Sequence, residues 1–325
     1  MKILITGVAG FIGFSIAKNF LNKKYTVYGI DNFDNYYSVK LKKLRIVNLK
    51  KYKNFFFFSF DLTNKKKLAS FLQKKKFDYV FHMAAQAGVR YSYINPNKYT
   101  NTNILMFIDL LNLLKDNIPK NIFYASSSSV YGDNINFPLS EEQNLRPINI
   151  YGVSKKLNEV TADFFRRIYK MNIVGLRFFT VYGEWGRPDM FLMKLFKCKF
   201  ENLTFYLNNK GNHQRDFTYI GDVIKILNNI FQKNLHNVKV LNICSGKPIN
   251  IKEIIKKNNL LNNIKINYVS KNKADVLKTH GSNSKAKKLS GIKNFLNFND
   301  GLKKTYNWYK AVSYTHLTLP TNREV

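Results

Sequence analysis

Cysteine, tryptophan, proline and acidic residues are all scarce in this 325-residue chain. Two cysteines, Cys198 and Cys244, cannot build a disulfide framework, and a reducing cytoplasm is the expected setting. Neither lies in a C-x-x-C pair or beside a histidine cluster, so both read as small buried hydrophobes and no metal site is expected. No apolar run approaches the roughly 18 residues of a membrane span. Residues 1–21 mimic a signal peptide, but Gly7, Gly10 and Gly13 interrupt the apolar stretch and no small-x-small cleavage site follows. No membrane association is expected.

The shortage of acid is the largest imbalance: 20 Asp and Glu against 53 Lys and Arg, a formal charge of +33. Such a charge raises nucleic acid as a partner. The lysines, however, are scattered in small groups (Lys42-Lys43, Lys65 to Lys67, Lys74 to Lys76, Lys287-Lys288) and accompany an excess of Asn, Ile, Phe and Tyr. That is the pattern of A/T-rich coding on solvated faces. Zinc spacing, a helix-turn-helix and an aromatic RNA-binding motif are all missing, so no nucleic-acid partner is expected. A positive field still suits an anionic substrate.

At 45% apolar residues, the chain can bury a large core. Short apolar runs at Ile3-Leu4-Ile5, Val27 to Ile30, Phe55 to Phe58, Asp78 to His82, Ile122 to Ala125 and Ile173 to Phe178 read as six strands. Helical stretches at 11–21, 38–49, 64–73, 97–115 and after Tyr151 separate them. This alternation predicts an α/β fold, a doubly wound parallel sheet of the Rossmann type. Beyond residue 180 the pattern loosens into Gly-, Pro- and Asn-rich loops. A nucleotide-binding domain over 1–180 and a smaller, interleaved C-terminal lobe over 181–311 are expected. Residues 312–325 abandon the Lys/Asn/Ile bias and read as a non-native tail.

Gly7-Val-Ala-Gly10-Phe11-Ile12-Gly13 follows the first strand and opens a helix. Glycines there permit a tight turn, and the helix N-terminus faces a pyrophosphate. The second strand ends at Asp31, followed by Asn32. A carboxylate at that point accepts hydrogen bonds from an adenosine ribose and repels a 2′-phosphate, which favours NAD over NADP. Asp61-Leu62, after the third strand, suits the adenine edge. Tyr151 and Lys155 are four apart on one helix face. An ammonium near the phenol lowers its pKa, so Tyr151 can work as a proton acceptor. The hydroxyl-rich run Ala125-Ser126-Ser127-Ser128-Ser129-Val130-Tyr131-Gly132 lies at the carboxyl end of the fifth strand, where ligands bind in such folds.

Together the glycine turn, the serine run and Tyr-x-x-x-Lys resemble the extended short-chain dehydrogenase/reductase family over residues 1 to about 310. More narrowly, five segments resemble UDP-glucuronate 4-epimerases. They are Asp31-Asn32-x-x-Asn35-Tyr36-Tyr37, Ala84 to Ser92, Ser126 to Gly132, Arg177 to Gly183 and Gly186 to Met190. The resemblance implies that Tyr151 is the base and acid and that Lys155 orients the nicotinamide ribose. A serine of the run, Ser127 or its neighbour Ser128, would stand beside Tyr151. Asn103, Ala84 and Ala85 would lie on the cofactor side, and Gln86, Arg90 and Arg215 on the substrate side, Arg215 at the UDP diphosphate. Ser128, Ser129, Thr180 and Arg187 would cradle a uronate carboxylate. Dehydratases of this family carry Asp-Glu before Val-Tyr-Gly and decarboxylases a Glu; Ser128 and Ser129 stand here instead. Thr180 replaces the Asn of UDP-glucose 4-epimerases, Met106 replaces a Gly, and the stretch from Lys271 to His280 keeps chiefly Asp275-Val276. A homodimer through helices near 97–115 and 151–170 is implied.

Overall fold

The structure, a computed structural model, describes residues 1–270 and 275–315. Its first half alternates strands and helices as the apolar runs predict. The strands are β1 (Lys2–Thr6), β2 (Thr26–Asp31), β3 (Phe55–Ser59), β4 (Tyr79–His82), β5 (Asn121–Ser127) and β6 (Ile173–Phe178). The second half contributes β7 (Thr180–Tyr182), β8 (Phe205–Asn208), β9 (Gln214–Tyr219), β10 (Val240–Ile243), β11 (Pro248–Asn250) and β12 (Ile266–Val269). Seven strands form one sheet in the order β10-β6-β5-β4-β1-β2-β3, and every pairing in it is parallel. This is the doubly wound α/β sheet expected.

Parallel strands must be covered on both faces, which explains their near-continuous apolar sequences. On one face, the helices Phe11–Asn22 and Ile220–Ile230 pack Phe14, Phe20, Ile226 and Ile230 against Ile3, Ile5 and Phe81. On the other, Lys65–Gln73, Met106–Leu114 and Ile150–Tyr169 bury Leu68, Phe107, Leu110 and Phe165 against Leu4, Val80 and Ile122. A separate cluster, including Leu195, Phe196, Phe217 and Leu302, forms the second lobe.

Two features depart from the sequence reading. The stretch read as a helix over 97–115 is helical from Pro96 to Leu114, but its middle turn, Thr100–Leu105, is π-helical, and a short helix, Tyr91–Ile94, precedes it. Pro96 starts a new first turn because it lacks an N–H. The chain also returns to the large sheet late, through β10 beside β6. We therefore propose a cofactor lobe near 1–180 and a sugar-nucleotide lobe near 181–311, with β10 lent back to the first. The tail assigned to 312–325 begins within the helix Phe298–Thr315, and its remainder lies outside the described residues. Among the described residues, no helix is long and apolar enough to cross a membrane.

Beneath the sheet's carboxyl edge lies a buried ion pair. Arg177 of β6 donates Nε to Glu159 Oε1 at 2.9 Å and Nη2 to Oε2 at 2.8 Å. Its Nη1 donates to the Tyr131 hydroxyl at 2.8 Å, which in turn donates to Asn242 of β10 at 2.7 Å. Ser126 donates its hydroxyl to Glu159 at 2.6 Å. Removing one member of such a pair leaves an uncompensated buried charge, which costs roughly 3–5 kcal/mol, whereas replacing both is far milder. Arg177→Met is therefore expected to lose about that much stability in urea unfolding, and a second change, Glu159→Leu, is expected to restore most of it. A double variant no more stable than the single one contradicts this.

Candidate active site

A cleft of about 1550 Å³ runs along the carboxyl edge of the sheet. Pockets for one small ligand typically occupy roughly 300–1,000 Å³, so this cleft has room for two. The glycine turn lines one end, with Phe11, Ile12, Asp31, Asn32, Asp61 and Leu62. Ala84, Ala85, Gln86 and Arg90 line its middle, with the serine run, Tyr151, Lys155, Thr180 and Arg187, and Arg215 lies toward the second lobe.

The cofactor end fits a dinucleotide on its own geometry. Gly7 has φ +68°, and a Cβ there would come within 2.6 Å of the Ala84 nitrogen. One on Gly13 would meet the Gly7 carbonyl oxygen at 2.3 Å. The helix Phe11–Asn22 has no side-chain N-cap and no acidic residue in its first turn. Its first amides and partial positive charge are thus available to an anionic group. Asp31 accepts hydrogen bonds from the Ala9 and Phe33 amides at 3.0 and 2.9 Å. Burial raises its carboxyl above the usual value, opposed by those amides and by Lys42 and Arg45. Asp61 accepts from Asn32 Nδ2 at 2.7 Å and from the Thr63 amide and hydroxyl at 2.8 and 2.6 Å. Burial opposes its ionisation, but those bonds hold its carboxyl below the ordinary range. Asp61 thus lines the cleft and also closes the turn ahead of Lys65–Gln73.

The helix Ile150–Tyr169 is capped by Asn149, whose side chain accepts from the Gly152 amide at 2.8 Å. That cap sets the first turn, from which Tyr151 and Lys155 project into the cleft. Lys155 Nζ lies 5.9 Å from the centre of the Tyr151 ring. The expected electrostatics are reversed in part. Burial dominates both groups: it raises the Tyr151 phenol, opposed by a hydrogen bond with Ser127 and by the charge of Arg187. It lowers Lys155 to about 7. An ammonium that is itself destabilised by burial is a weak source of field, so the help to the phenol comes from Ser127 and Arg187.

The serine run divides by partner. Ser126 is committed to Glu159, while Ser127 is the member hydrogen-bonded to Tyr151. Ser129 donates its amide to Ser127 Oγ at 3.1 Å, and the two hydroxyls are 3.2 Å apart. Ser128 begins the short 3₁₀ turn Ser128–Tyr131 and faces the cleft.

Three of the anticipated substrate residues are already engaged. Arg187 forms a bidentate pair with Asp189 at 3.0 and 2.5 Å. Arg90 pairs with Asp275 at 2.7 Å. Arg215 donates to the main-chain carbonyls of Gln214, Val276 and Leu277. Asn103 is absent from the cleft lining. It is 2% exposed and ties two walls together, accepting from the Gln86 amide at 2.8 Å and donating to Ser154 Oγ at 3.0 Å. Any effect it has on the cofactor passes through those contacts.

Sequence reasoning overlooked Asp189, Lys42 and Arg45. Lys42 was placed with the solvated lysines, yet it is 6% exposed. Its Nζ donates to the Asp34 carbonyl and lies 4.3 Å from the Tyr37 ring centre. The available signal was position: Lys42 and Arg45 share a helix face with Leu41 and Leu49.

A family model described as GDP-mannose 4,6 dehydratase matches residues 4–305. The chain belongs to that family, a branch of the extended short-chain dehydrogenase/reductases. It is 37% identical over 311 residues to a UDP-glucuronate 4-epimerase of Thermodesulfobacterium geofontis, covering 94% of this chain and 95% of the relative. The crystal structure of a UDP-glucuronic acid 4-epimerase from Bacillus cereus, in complex with UDP-glucuronic acid and NAD, is similar with a TM-score of 0.89 and 32% identity. That match covers 96% of this chain and all of the other. A UDP-glucose 4-epimerase from Thermotoga maritima, solved with UDP-glucose, follows at a TM-score of 0.84 and 26% identity, covering 96% of this chain and 99% of the other.

The buried lysine gives a stability signature. In the folded chain Lys155 sheds its proton near pH 7, whereas an unfolded lysine keeps it to about 10.5. Unfolding therefore takes up a proton between those values, and stability lost to burying Lys155 is recovered as pH rises through that window. Lys155→Met is expected to be more stable than the parent at pH 6, by an amount on the order of a few kcal/mol. The gap should close toward pH 10 in denaturant melts, while turnover is lost at every pH. A gap independent of pH contradicts the assignment.

Proposed function

We propose that the chain is an NAD-dependent UDP-sugar 4-epimerase that interconverts UDP-glucuronate and UDP-galacturonate. The observation that carries the choice of reaction is the set of carboxylates around Tyr151. Among the described residues, those lining the cleft are Asp31, Asp34, Asp61, Asp189 and Asp275. The first three belong to the adenosine end, and the last two are tied up by Arg187 and Arg90. The serine run contributes none. Elimination or decarboxylation would call on a second acid/base beside the phenol, and hydroxyls stand there instead.

NAD, held by the glycine turn, Asp31 and Lys155, supplies reversible hydride acceptance at C4 when bound. The chain's own residues handle the proton. Tyr151, as its phenolate, takes the proton of the C4 hydroxyl, and Ser127 hydrogen-bonds the phenol oxygen throughout. The 4-keto sugar turns over in the roomy sugar pocket and presents the opposite face of C4 for hydride return, while Tyr151 gives its proton back to the C4 oxygen. Atoms and electrons balance with no net redox change.

The 4-keto form of a glucuronate is a β-keto acid and loses carbon dioxide readily. Ser128, Ser129 and Thr180 line one wall and supply hydroxyl donors to hold the carboxylate, with Arg187 behind them. A neutral hexose is the second reading, supported by the likeness to the UDP-glucose 4-epimerase. We also propose a homodimer. The helix Ile150–Tyr169 carries an apolar stripe of Val153, Leu157, Val160, Phe164 and Ile168, from 36 to 60% exposed, at helical spacing on its outer face. A stripe of that kind marks an interaction surface. Reduced Cys198 and Cys244 fit a cytoplasmic setting.

Incubating the protein with UDP-glucuronate, UDP-glucose and UDP-N-acetylglucosamine separately, with NMR of the products, tests the reading. UDP-galacturonate is expected, with turnover of neutral sugars at least tenfold slower. Formation of a UDP-pentose, or faster conversion of a neutral sugar, contradicts it.

A further inference from the structure

Arg45 has no exposed surface, although it ends a run, Lys-Leu-Lys-Lys-Leu-Arg, that looks solvated. Its Nη1 donates to the Ala9 carbonyl at 2.8 Å and meets the Tyr37 hydroxyl at 2.9 Å. Its Nη2 donates to the carbonyls of Trp185 at 2.5 Å and Gly186 at 3.3 Å. Nε has no hydrogen-bond partner among the described residues. Among the described residues no carboxylate is hydrogen-bonded to it; Asp31 acts only through space, and burial works against the cation. A buried cation held by neutral oxygens is costly, and an apolar side chain of similar volume would serve stability at least as well.

What the guanidinium joins is informative. Ala9 lies inside the glycine turn, between Gly7 and Gly10. Trp185 and Gly186 directly precede Arg187, which lines the cleft with Asp189 and whose charge acts on the Tyr151 phenol. Trp185 is a non-glycine residue with φ +63°, a strained conformation that persists only where its surroundings enforce it. Its ring packs against Phe14 at 5.2 Å and Trp308 at 5.4 Å between centres, and its carbonyl meets Arg45. Phe14 belongs to the helix that the glycine turn opens.

We propose that Arg45 is a positioning residue that sets the dinucleotide turn and the sugar-side loop against each other, so that both ligands lose affinity together when it is removed. It acts through Ala9 and Trp185 and belongs to neither binding site. The inference rests on the reading that the glycine turn holds NAD and the 187–189 loop faces the sugar.

The test uses Arg45→Gln, purified as the wild type is. NAD per chain after gel filtration is measured by cofactor release, and KM and kcat for UDP-glucuronate with added NAD. At least a fivefold loss of retained NAD and a fivefold rise in KM are expected, with kcat at saturation within about threefold. Arg45→Lys, which keeps the charge but not the fork, should fall between. Leu49→Ala, buried on the same helix and with no hydrogen bond from its side chain to either loop, should lower the Tm without either ligand effect. The inference is overturned by an Arg45→Gln protein with wild-type NAD retention and KM, or by equal ligand losses in Leu49→Ala. If Arg45→Gln does not fold, Tyr37→Phe removes one acceptor from Nη1. At least a twofold change in both readouts is then expected, and no change overturns the proposal. Wild-type protein that holds no NAD contradicts the functional reading itself, a result distinguishable from all of these.

Discussion

Arg177 lies in β6, an inner strand of a sheet covered on both faces, where a cation without an anion could not persist. Glu159, two turns beyond Tyr151 on the catalytic helix, is the anion that meets it. That contact, with the packing of Ala162 and Phe165, holds the helix Ile150–Tyr169 in rotation over β5 and β6. Ser126 adds its hydroxyl to the same carboxylate, which fixes the start of the serine run. The adjacent Ser127 is thereby left to the Tyr151 phenol. Tyr131 and Asn242 extend the network into β10, so the strand that returns from the second lobe is tied to the same point. The distance between phenol and serine is therefore set by a charge pair that never touches a ligand.

Chemistry on this frame follows from what is charged and what is not. Burial makes both members of the Tyr-Lys pair prefer their neutral forms. A phenol in that state becomes a competent base only when hydrogen bonding and nearby positive charge favour its anion. Ser127 and Arg187 provide these within the chain. The arginines lining the cleft are restrained: Arg187 by Asp189, Arg90 by Asp275 and Arg215 by main-chain carbonyls. The cleft can thus attract an anionic sugar nucleotide while offering no unpaired carboxylate beside the Tyr-Lys pair among the described residues.

Much of this was legible in the sequence because it is local. Six strands are apolar runs bounded by turns. The glycine turn, the serine run and Tyr151-x-x-x-Lys155 are contiguous motifs whose positions at strand ends follow from the alternation. Elements that depend on distant pairing were not legible. β10 is four residues long, and only its neighbour β6, more than 60 positions earlier, makes it part of the sheet. The π-helical segment Thr100–Leu105 lies inside a stretch whose apolar periodicity reads as one regular helix. Lys42 and Arg45 were hidden by composition, because in a chain this rich in lysine two inward cations look like all the others. Their helix face, shared with Leu41 and Leu49, was the clue. The sign of the Tyr-Lys interaction was also out of reach, since spacing gives proximity but not burial.

The central claim is that hydride leaves and returns to the same carbon while Tyr151 alone carries the proton. The most direct measurement follows the label in UDP-glucuronate deuterated at C4, converted in ordinary water and read by NMR and mass spectrometry. The account predicts UDP-galacturonate that retains the deuterium at C4, and no conversion by Tyr151→Phe. Loss of the deuterium to solvent in the epimerised product would contradict it.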